Sequence, residues 1–319
     1  MTKKIEVPSF KLNDSTSSPG LAFGVRLQNE SVTAFVLSAL EIGYRHIDTA
    51  EVYNTEVATG NALQEAFASG LVKREDVYVT TKIGPGNLHV EEVLPMMKKS
   101  LSNLQLDYVD MYLIHWPFRL KDGKRMFIAN LDDRLPLDMQ RTWEEMEKLV
   151  ALGLTKSIGV SNFCVKKLQE LLLHAKIVPA VNQIELHPRW QQDKLRAFCQ
   201  KKGIQVTAWS PLGSPGSFFG TKYVLNNPIL KQLALEHKKS VAQIILRWIH
   251  ELGVIPIPSS YNEQRMIENL TIWDFTLTDE DHEKIKTIEQ QSLLTTPKFL
   301  SVFKGAPFPS FAEFHDNDE

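Results

Sequence analysis

The chain has 319 residues, 43% of them hydrophobic, and a formal net charge of −2, enough to bury a large core in one domain or two small ones. Its basic residues come in pairs such as Lys166 and Lys167, Lys201 and Lys202, and Lys238 and Lys239, not in longer runs, so no nucleic-acid partner is expected. The N-terminal MTKKIEVPSFKLND has no apolar h-region and no 18-residue apolar run follows, while Cys164 and Cys199 lie 35 residues apart without CxxC spacing; this predicts a cytoplasmic protein with no membrane partner.

SFKLND followed by STSSPG predicts a strand and a turn, half of a hairpin plugging one end of the fold. LAFGV (21–25) is the first core strand. Ser31 opens a helix with Val32, Phe35, Val36, Ala39 and Leu40 on one face, and Gly43 stops it. YRHID (44–48) is the second strand, followed by a helix over 55–69 that ends at Gly70. VYVTTK (77–82) is the third. Residues 90–104 carry apolar side chains at helical spacing, with Pro95 either kinking the helix or marking its start. DYVDMYLIH (107–115) is the fourth strand, and the irregular stretch from 118 to about 138 at its exit reads as a lid.

A helix over 139–152 leads to the fifth strand, SIGV (157–160), and a helix near 165–175 follows. AVNQIEL (180–186) and IQVTAW (204–209) are the sixth and seventh strands, with a helix near 192–202 between them. LGSPGSFFG forms a second long loop before helices near 227–237 and 240–252, the latter apolar nearly all round and therefore buried. VIPIP (254–258) is the eighth strand. Helices over 263–270 and from TDEDHEKIKTIEQ close the series, with Thr278 and Asp281 forming a capping box. Eight strands alternating with helices specify a (β/α)8 TIM barrel in a single domain spanning 1–319, with its core over about 20–290. A doubly wound sheet is disfavoured because no strand–turn–helix carries GxGxxG. The tail 291–319, with Phe299, Phe303, Phe308 and Phe311, could cover the active site or pack on the exterior.

Three successive apolar strands end on ionisable residues: Asp48, Lys82 and His115. In a parallel barrel those ends share one face, where the loops build the site. Tyr53 lies five residues beyond Asp48. Each alone has a bland reading, as a structural carboxylate, its partner, a core histidine and ordinary packing. Together they suit one task, because a lysine beside a phenol favours phenolate, a carboxylate holds the lysine, and a histidine can orient a carbonyl. Such a set protonates an oxygen as hydride reaches the attached carbon. No metal site is expected, since the nine histidines show no HxxxH or HxH spacing and His46 and His187 read as structural. Ser161 lies in GVSNF and not in GxSxG, which disfavours a hydrolase.

With GYRHIDTAEVY, VTTK, LDYVDMYLIHWP, KSIGVSNF, VNQIELHP, AWSPLG and SYNEQRMIENL in order, residues 20–290 resemble the aldo-keto reductase superfamily. The resemblance implies that Asp48, Tyr53, Lys82 and His115 are the catalytic tetrad, with Tyr53 as general acid. It implies that Ser161, Asn162 and Gln183 hold the nicotinamide carboxamide, that Trp209 stacks on the ring, and that Ser210 and Leu212 meet the pyrophosphate. Ser259, Ser260, Arg265, Glu268 and Asn269 match the adenosine end. Arg26 and Trp116 are candidates for the substrate pocket. The implied activity is NADPH-dependent reduction of an aldehyde or ketone by a monomer or weak homodimer; the alternative is a non-enzymatic, redox-sensing barrel.

The chain also departs from the family pattern. Val25 and Arg26 follow Gly24 where many members have tryptophan, and Lys82-Ile83-Gly84-Pro85-Gly86 replaces Lys-Leu-Trp, so two pocket aromatics are missing. Ser259 stands where a lysine usually meets the 2′-phosphate, leaving Arg265 to favour NADPH. YNT with TTKxxPG looks most like the fungal ketone and dicarbonyl reductases of the superfamily.

Overall fold

The computed structural model describes residues 5–26, 31–121, 124, 129, 131–217 and 220–296. Strands β1 (Ser9–Lys11) and β2 (Ser17–Pro19) form an antiparallel hairpin. It seats Leu12 in a cluster with Tyr78, Met111, Leu113, Ala180 and Val181, and Asn13 Nδ2 donates to the Pro179 carbonyl at 2.9 Å. The hairpin plugs the barrel end at which the strands begin, as its composition predicts.

Eight parallel strands follow in the ring. They are β3 (Phe23–Gly24), β4 (His46–Asp48), β5 (Tyr78–Ile83), β6 (Val109–Ile114), β9 (Thr155–Ser161), β10 (Val181–Glu185), β11 (Gln205–Trp209) and β12 (Ile255–Ile257). A separate antiparallel pair, β7 (Arg119–Leu120) and β8 (Arg134–Leu135), lies in the long loop after β6. The ring is closed by Ala22 N–H donating to Pro256 O at 3.0 Å and Gly24 N–H to Pro258 O at 2.9 Å. Both prolines accept but cannot donate, so closure runs one way. The first strand is correspondingly short, two residues where LAFGV suggests five.

Helices α1 (Val32–Ile42), α2 (Glu56–Ala68), α3 (Val93–Leu104), α4 (Met139–Ala151), α5 (Val165–Leu172), α6 (Asp193–Lys201), α7 (Pro228–Glu236), α8 (Val241–Glu251), α9 (Glu263–Leu270) and α10 (Asp279–Lys286) accompany the strands. Val36, Leu40, Leu63, Met97, Trp143 and Leu246 belong to the large apolar core that strands and helices share. Pro95 falls in the first turn of α3, where its missing N–H breaks no helical bond, so it marks a start and not a kink. No residue of α8 is exposed. The Thr278–Asp281 capping box is formed, and Ser240 with Gln243 makes a second one at α8.

Of the stretch 118–138 expected to be a lid, residues 122–123, 125–128 and 130 lie outside the described residues, as do the tail phenylalanines 299, 303, 308 and 311. What is described of both segments meets: Trp116, Phe118, Leu120 and Ala129 form a cluster against which Leu294 packs. Ser292 Oγ and Leu293 N–H donate to the buried Glu185 carboxylate at 2.8 and 2.6 Å, which anchors the start of the tail on β10.

Candidate active site

Asp48 is the last residue of β4, Lys82 the penultimate residue of β5, and His115 directly follows β6. All three are buried, Lys82 with no exposed surface. Lys82 Nζ donates to Asp48 Oδ1 at 2.6 Å and to the Thr49 carbonyl at 2.8 Å. Gln183 Nε2 donates to Asp48 Oδ2 at 2.9 Å, so each carboxylate oxygen has a donor, which a buried charge requires.

Tyr53 stands on a short 3-10 turn, Glu51–Tyr53, beyond β4. Its hydroxyl and His115 Nε2 share a hydrogen bond at 3.3 Å, with the rings edge-on. Lys82 Nζ lies 5.5 Å from the centre of the Tyr53 ring. Burial, then the positive charges of Lys82 and Arg26, hold His115 well below the usual histidine range, so it is neutral at pH 7.

The turn carrying Tyr53 explains the missing aromatic after β5. A Cβ on Gly84 would stand 2.2 Å from Val52 Cγ1 and 2.7 Å from Glu51 Oε2. The turn packs onto that glycine, and Asn87 Nδ2 donates to Glu51 Oε1 at 3.0 Å.

A cavity of about 770 Å3 runs from Asp48, Tyr53, His115 and Trp116, past Trp209, to Arg265 and Asn269. Of the residues singled out in the sequence, Arg26, Asn162, Gln183, Ser210, Leu212, Ser259, Ser260 and Glu268 also line it. Lys82 and Ser161 do not. Lys82 lies behind the wall, and Ser161 is buried with its hydroxyl donating to the Gln183 carbonyl at 2.8 Å. A buried hydroxyl needs an acceptor, and this one finds it on the neighbouring strand.

Asn162, in the left-handed region at φ 63°, joins the two halves of the site. Its Nδ2 donates to the His115 carbonyl at 2.9 Å, and its Oδ1 accepts from Trp209 Nε1 at 2.9 Å. The indole is thereby fixed at the end of β11. Ser210, also left-handed at φ 51°, shares a hydrogen bond with Ser214. At the far end Asn262 caps α9 by accepting from the Arg265 N–H. Lys222, Ser217, Tyr261 and Leu294 are on the cavity wall too and were not picked out in the sequence. Lys222 and Ser217 sit in or beside a loop legible only as Gly/Ser/Pro-rich, while Tyr261 stood inside a motif without a chemical partner to mark it.

His46 and His187 are structural. His46 Nε2 meets Thr80 Oγ1 at 2.9 Å and His187 Nε2 meets Glu185 Oε1 at 3.0 Å. No cluster of metal-ligating side chains occurs among the described residues, and none of their helices is long and apolar enough to cross a membrane.

The family model described as "Aldo/keto reductase family" matches residues 20–290. The chain belongs to the aldo/keto reductase family. This aldo/keto reductase is 50% identical over 262 residues to the NAD(P)H-dependent 6'-deoxychalcone synthase of Glycine max, covering 82% of this chain and 83% of that one. It is 43% identical to deoxymugineic acid synthase 1 of Zea mays over 94% and 96% of the two chains. It is 41% identical to rhazimal reductase 2 of Alstonia scholaris over the full length of both. Among solved structures, the Bombyx mori aldo-keto reductase in complex with NADP superposes with a TM-score of 0.83 at 38% identity, over 95% and 98% of the two chains. The aldose reductase of Schistosoma japonicum does so at 0.85 and 36%, over 95% and 99%. The three sequence relatives come from plants, which corrects the fungal likeness drawn from YNT and TTKxxPG. Short motifs at a barrel mouth recur across branches, whereas identity along the whole chain also weighs the core.

Proposed function

We propose that this protein reduces an aldehyde or ketone to the alcohol with NADPH, as an alcohol:NADP oxidoreductase. The observation that carries the reading is the wholly buried Lys82 ammonium, bound to Asp48 and facing the ring of Tyr53, whose hydroxyl meets His115 on the cavity wall. A cofactor-sensing barrel without turnover would need no such assembly, and burying this ion pair costs stability.

The cavity suits a dinucleotide: a fixed indole at one end and a phosphate-compatible cation, Arg265, with Ser260 and Asn269 at the other are parts of one continuous space. Asn162, Gln183 and Trp209 would hold the nicotinamide end, Ser210 and Leu212 the diphosphate, and Ser259, Ser260, Arg265, Glu268 and Asn269 the adenosine end; Ser161 would support the wall through Gln183. NADPH supplies the hydride to the carbonyl carbon when bound. Tyr53 Oη donates its proton to the carbonyl oxygen, and the positive charge of Lys82 steadies the phenolate left behind. Neutral His115 orients the carbonyl by hydrogen bonding without adding a second cation. Asp48 keeps Lys82 in place.

The lack of an aromatic beside Val25 leaves room for ketones and dicarbonyls bulkier than small aldoses, whereas at Gly84 the turn carrying Val52 fills the space. The enzyme would act in the cytoplasm as a monomer or weak homodimer, a location suited to the two free cysteines, Cys164 and Cys199. The test is NADPH oxidation, followed by absorbance, over a panel of aldehydes, ketones and 1,2-diketones. NADPH binding without oxidation by any reactive carbonyl would favour the sensing barrel, and a preference for small aldoses would refute the pocket reading.

A further inference from the structure

The 3-10 turn that carries Tyr53, Glu51–Tyr53, is a single turn. It holds itself by Tyr53 N–H donating to Ala50 O at 3.1 Å and Asn54 N–H to Glu51 O at 3.2 Å. Turns of this class have poor hydrogen-bond geometry, so its position is set by what it leans on. On one side, Thr55 and Thr49 share a hydroxyl hydrogen bond at 2.8 Å and Thr55 Oγ1 donates to the Val25 carbonyl at 3.3 Å. These ties fasten the exit of the turn to the ends of β3 and β4.

On the other side lies the segment leaving β5. Buried Gly84 meets Val52 so closely that a Cβ there would stand 2.2 Å from Val52 Cγ1, and Asn87 Nδ2 donates to Glu51 Oε1 at 3.0 Å. Pro85–Asn87 is itself a 3-10 turn, closed by Asn87 N–H on Gly84 O at 3.1 Å. It is packed from behind as well, since a Cβ on Gly86 would stand 2.2 Å from the Lys124 carbonyl oxygen. The stretch that supplies Lys82 thus also seats the turn that presents Tyr53, and Lys82 Nζ ends 5.5 Å from the centre of that ring. Neither Gly84 nor Asn87 lines the cavity, so their route to the chemistry runs through the turn.

We propose that Gly84 and Asn87 are positioning residues for Tyr53: by seating Val52 and Glu51 they hold the phenol where it can give its proton to the carbonyl oxygen. This rests on the carbonyl-reductase reading and adds to its machinery two residues outside the cavity. The proton passes from Tyr53 Oη to the carbonyl oxygen as the carbon takes hydride from NADPH, which becomes NADP+. Gly84 and Asn87 exchange no atoms and fix only the geometry, where small displacements are costly.

The test is the single-turnover rate of NADPH oxidation with 4-nitrobenzaldehyde, or with the fastest member of the carbonyl panel, which separates chemistry from product release. Asn87→Ala should slow it by about ten-fold, as expected when a hydrogen bond to a charged group is lost and the reacting groups drift. The dissociation constant for NADPH, read by fluorescence, should move less than about three-fold. Asn87→Asp keeps the shape but sets a like charge on Glu51, and should slow the rate further. Gly84→Ala should slow it too; adding Val52→Ala, which vacates the space, should restore part of the rate and serves where the single variant does not fold. In the Tyr53→Phe background, Asn87→Ala should change the residual rate by less than about two-fold, because its route to the reaction is gone. Variants with lowered Tm but wild-type single-turnover rates overturn the proposal in favour of a purely structural loop. An undiminished loss in the Tyr53→Phe background overturns it in favour of an action on Lys82, and an NADPH complex weakened about ten-fold in favour of the cofactor site. If wild-type enzyme reduces carbonyls and the Asn87 variants match it, this inference alone fails; if no carbonyl is reduced, it is the reductase reading that fails.

Discussion

Gln183 and Asp48, on β10 and β4, are joined across the barrel by a 2.9 Å hydrogen bond from Gln183 Nε2 to Asp48 Oδ2. The other carboxylate oxygen belongs to Lys82. A residue that family resemblance assigns to the cofactor therefore also completes the support of the buried Asp48–Lys82 ion pair. Gln183→Leu should lower stability by about 1–3 kcal/mol, the penalty for leaving a buried acceptor without its donor, and lower kcat as well. Gln183→Glu should be worse, since it sets a like charge beside the Asp48 carboxylate. Denaturant melts of both variants check the order; a leucine variant as stable as wild type would break the argument.

Tyr53→Phe removes the hydroxyl that meets His115 and leaves the ring in place. Carbonyl reduction should fall by about a hundred-fold or more, in the range of a general acid. Binding of NADPH, followed by fluorescence, should persist. Retention of more than about a tenth of the rate would reassign the proton donor.

Lys82→Met leaves the Asp48 carboxylate buried without its cation. Such losses cost about 3–5 kcal/mol, so both stability and turnover should drop. Adding Asp48→Asn should restore part of the stability and none of the turnover. Recovery of turnover in the double variant would show that the Lys82 charge is not needed by Tyr53.

Arg265→Ala bears on the choice of cofactor. Ser259 offers no charge to a 2′-phosphate, so NADPH preference would rest on Arg265, an exposed guanidinium on the cavity wall. The Michaelis constant for NADPH should rise by about ten-fold, as expected for loss of a charged hydrogen bond, with little change for NADH. Equal losses for both would mean that Arg265 only stacks on adenine.

Two buried histidines should contribute to the acid limb of stability. Burial pushes His46 down to about 4 and holds His115 well below its usual value. Between pH 6.5 and about 4 the unfolded chain binds a proton at the His46 position that the native protein refuses, so this contribution to stability is full above about 6.5 and is lost as pH falls. For His46 the span corresponds to about 3 kcal/mol. His46→Asn should flatten the decline of Tm between pH 6.5 and 4; an unchanged slope would assign it to other groups.

The meeting of Asp48, Lys82 and His115 was legible because acids, lysines and histidines at the ends of apolar strands stand out against their surroundings, and a parallel barrel brings such ends together. Asn162 and Trp209 were legible through family motifs alone. Nothing local announced that the Trp209 indole would donate to Asn162, or that Asn162 would reach the carbonyl after β6. Tyr261 and Lys222 escaped notice for a related reason: neither stands at the end of a strand, and loops bring them to the wall.

Strand and helix order, the plugging hairpin, the buried α8 and the capping box at Thr278 follow from periodicity and turn chemistry, which act over a few residues and can be read along the chain. The one-way closure through Pro256 and Pro258, the burial of Ser161 and the packing of Val52 on Gly84 could not be read that way. Each depends on which segments, distant in sequence, become neighbours when the ring shuts. Hydrogen-bond direction and close packing are settled between such neighbours, and only the folded barrel supplies them.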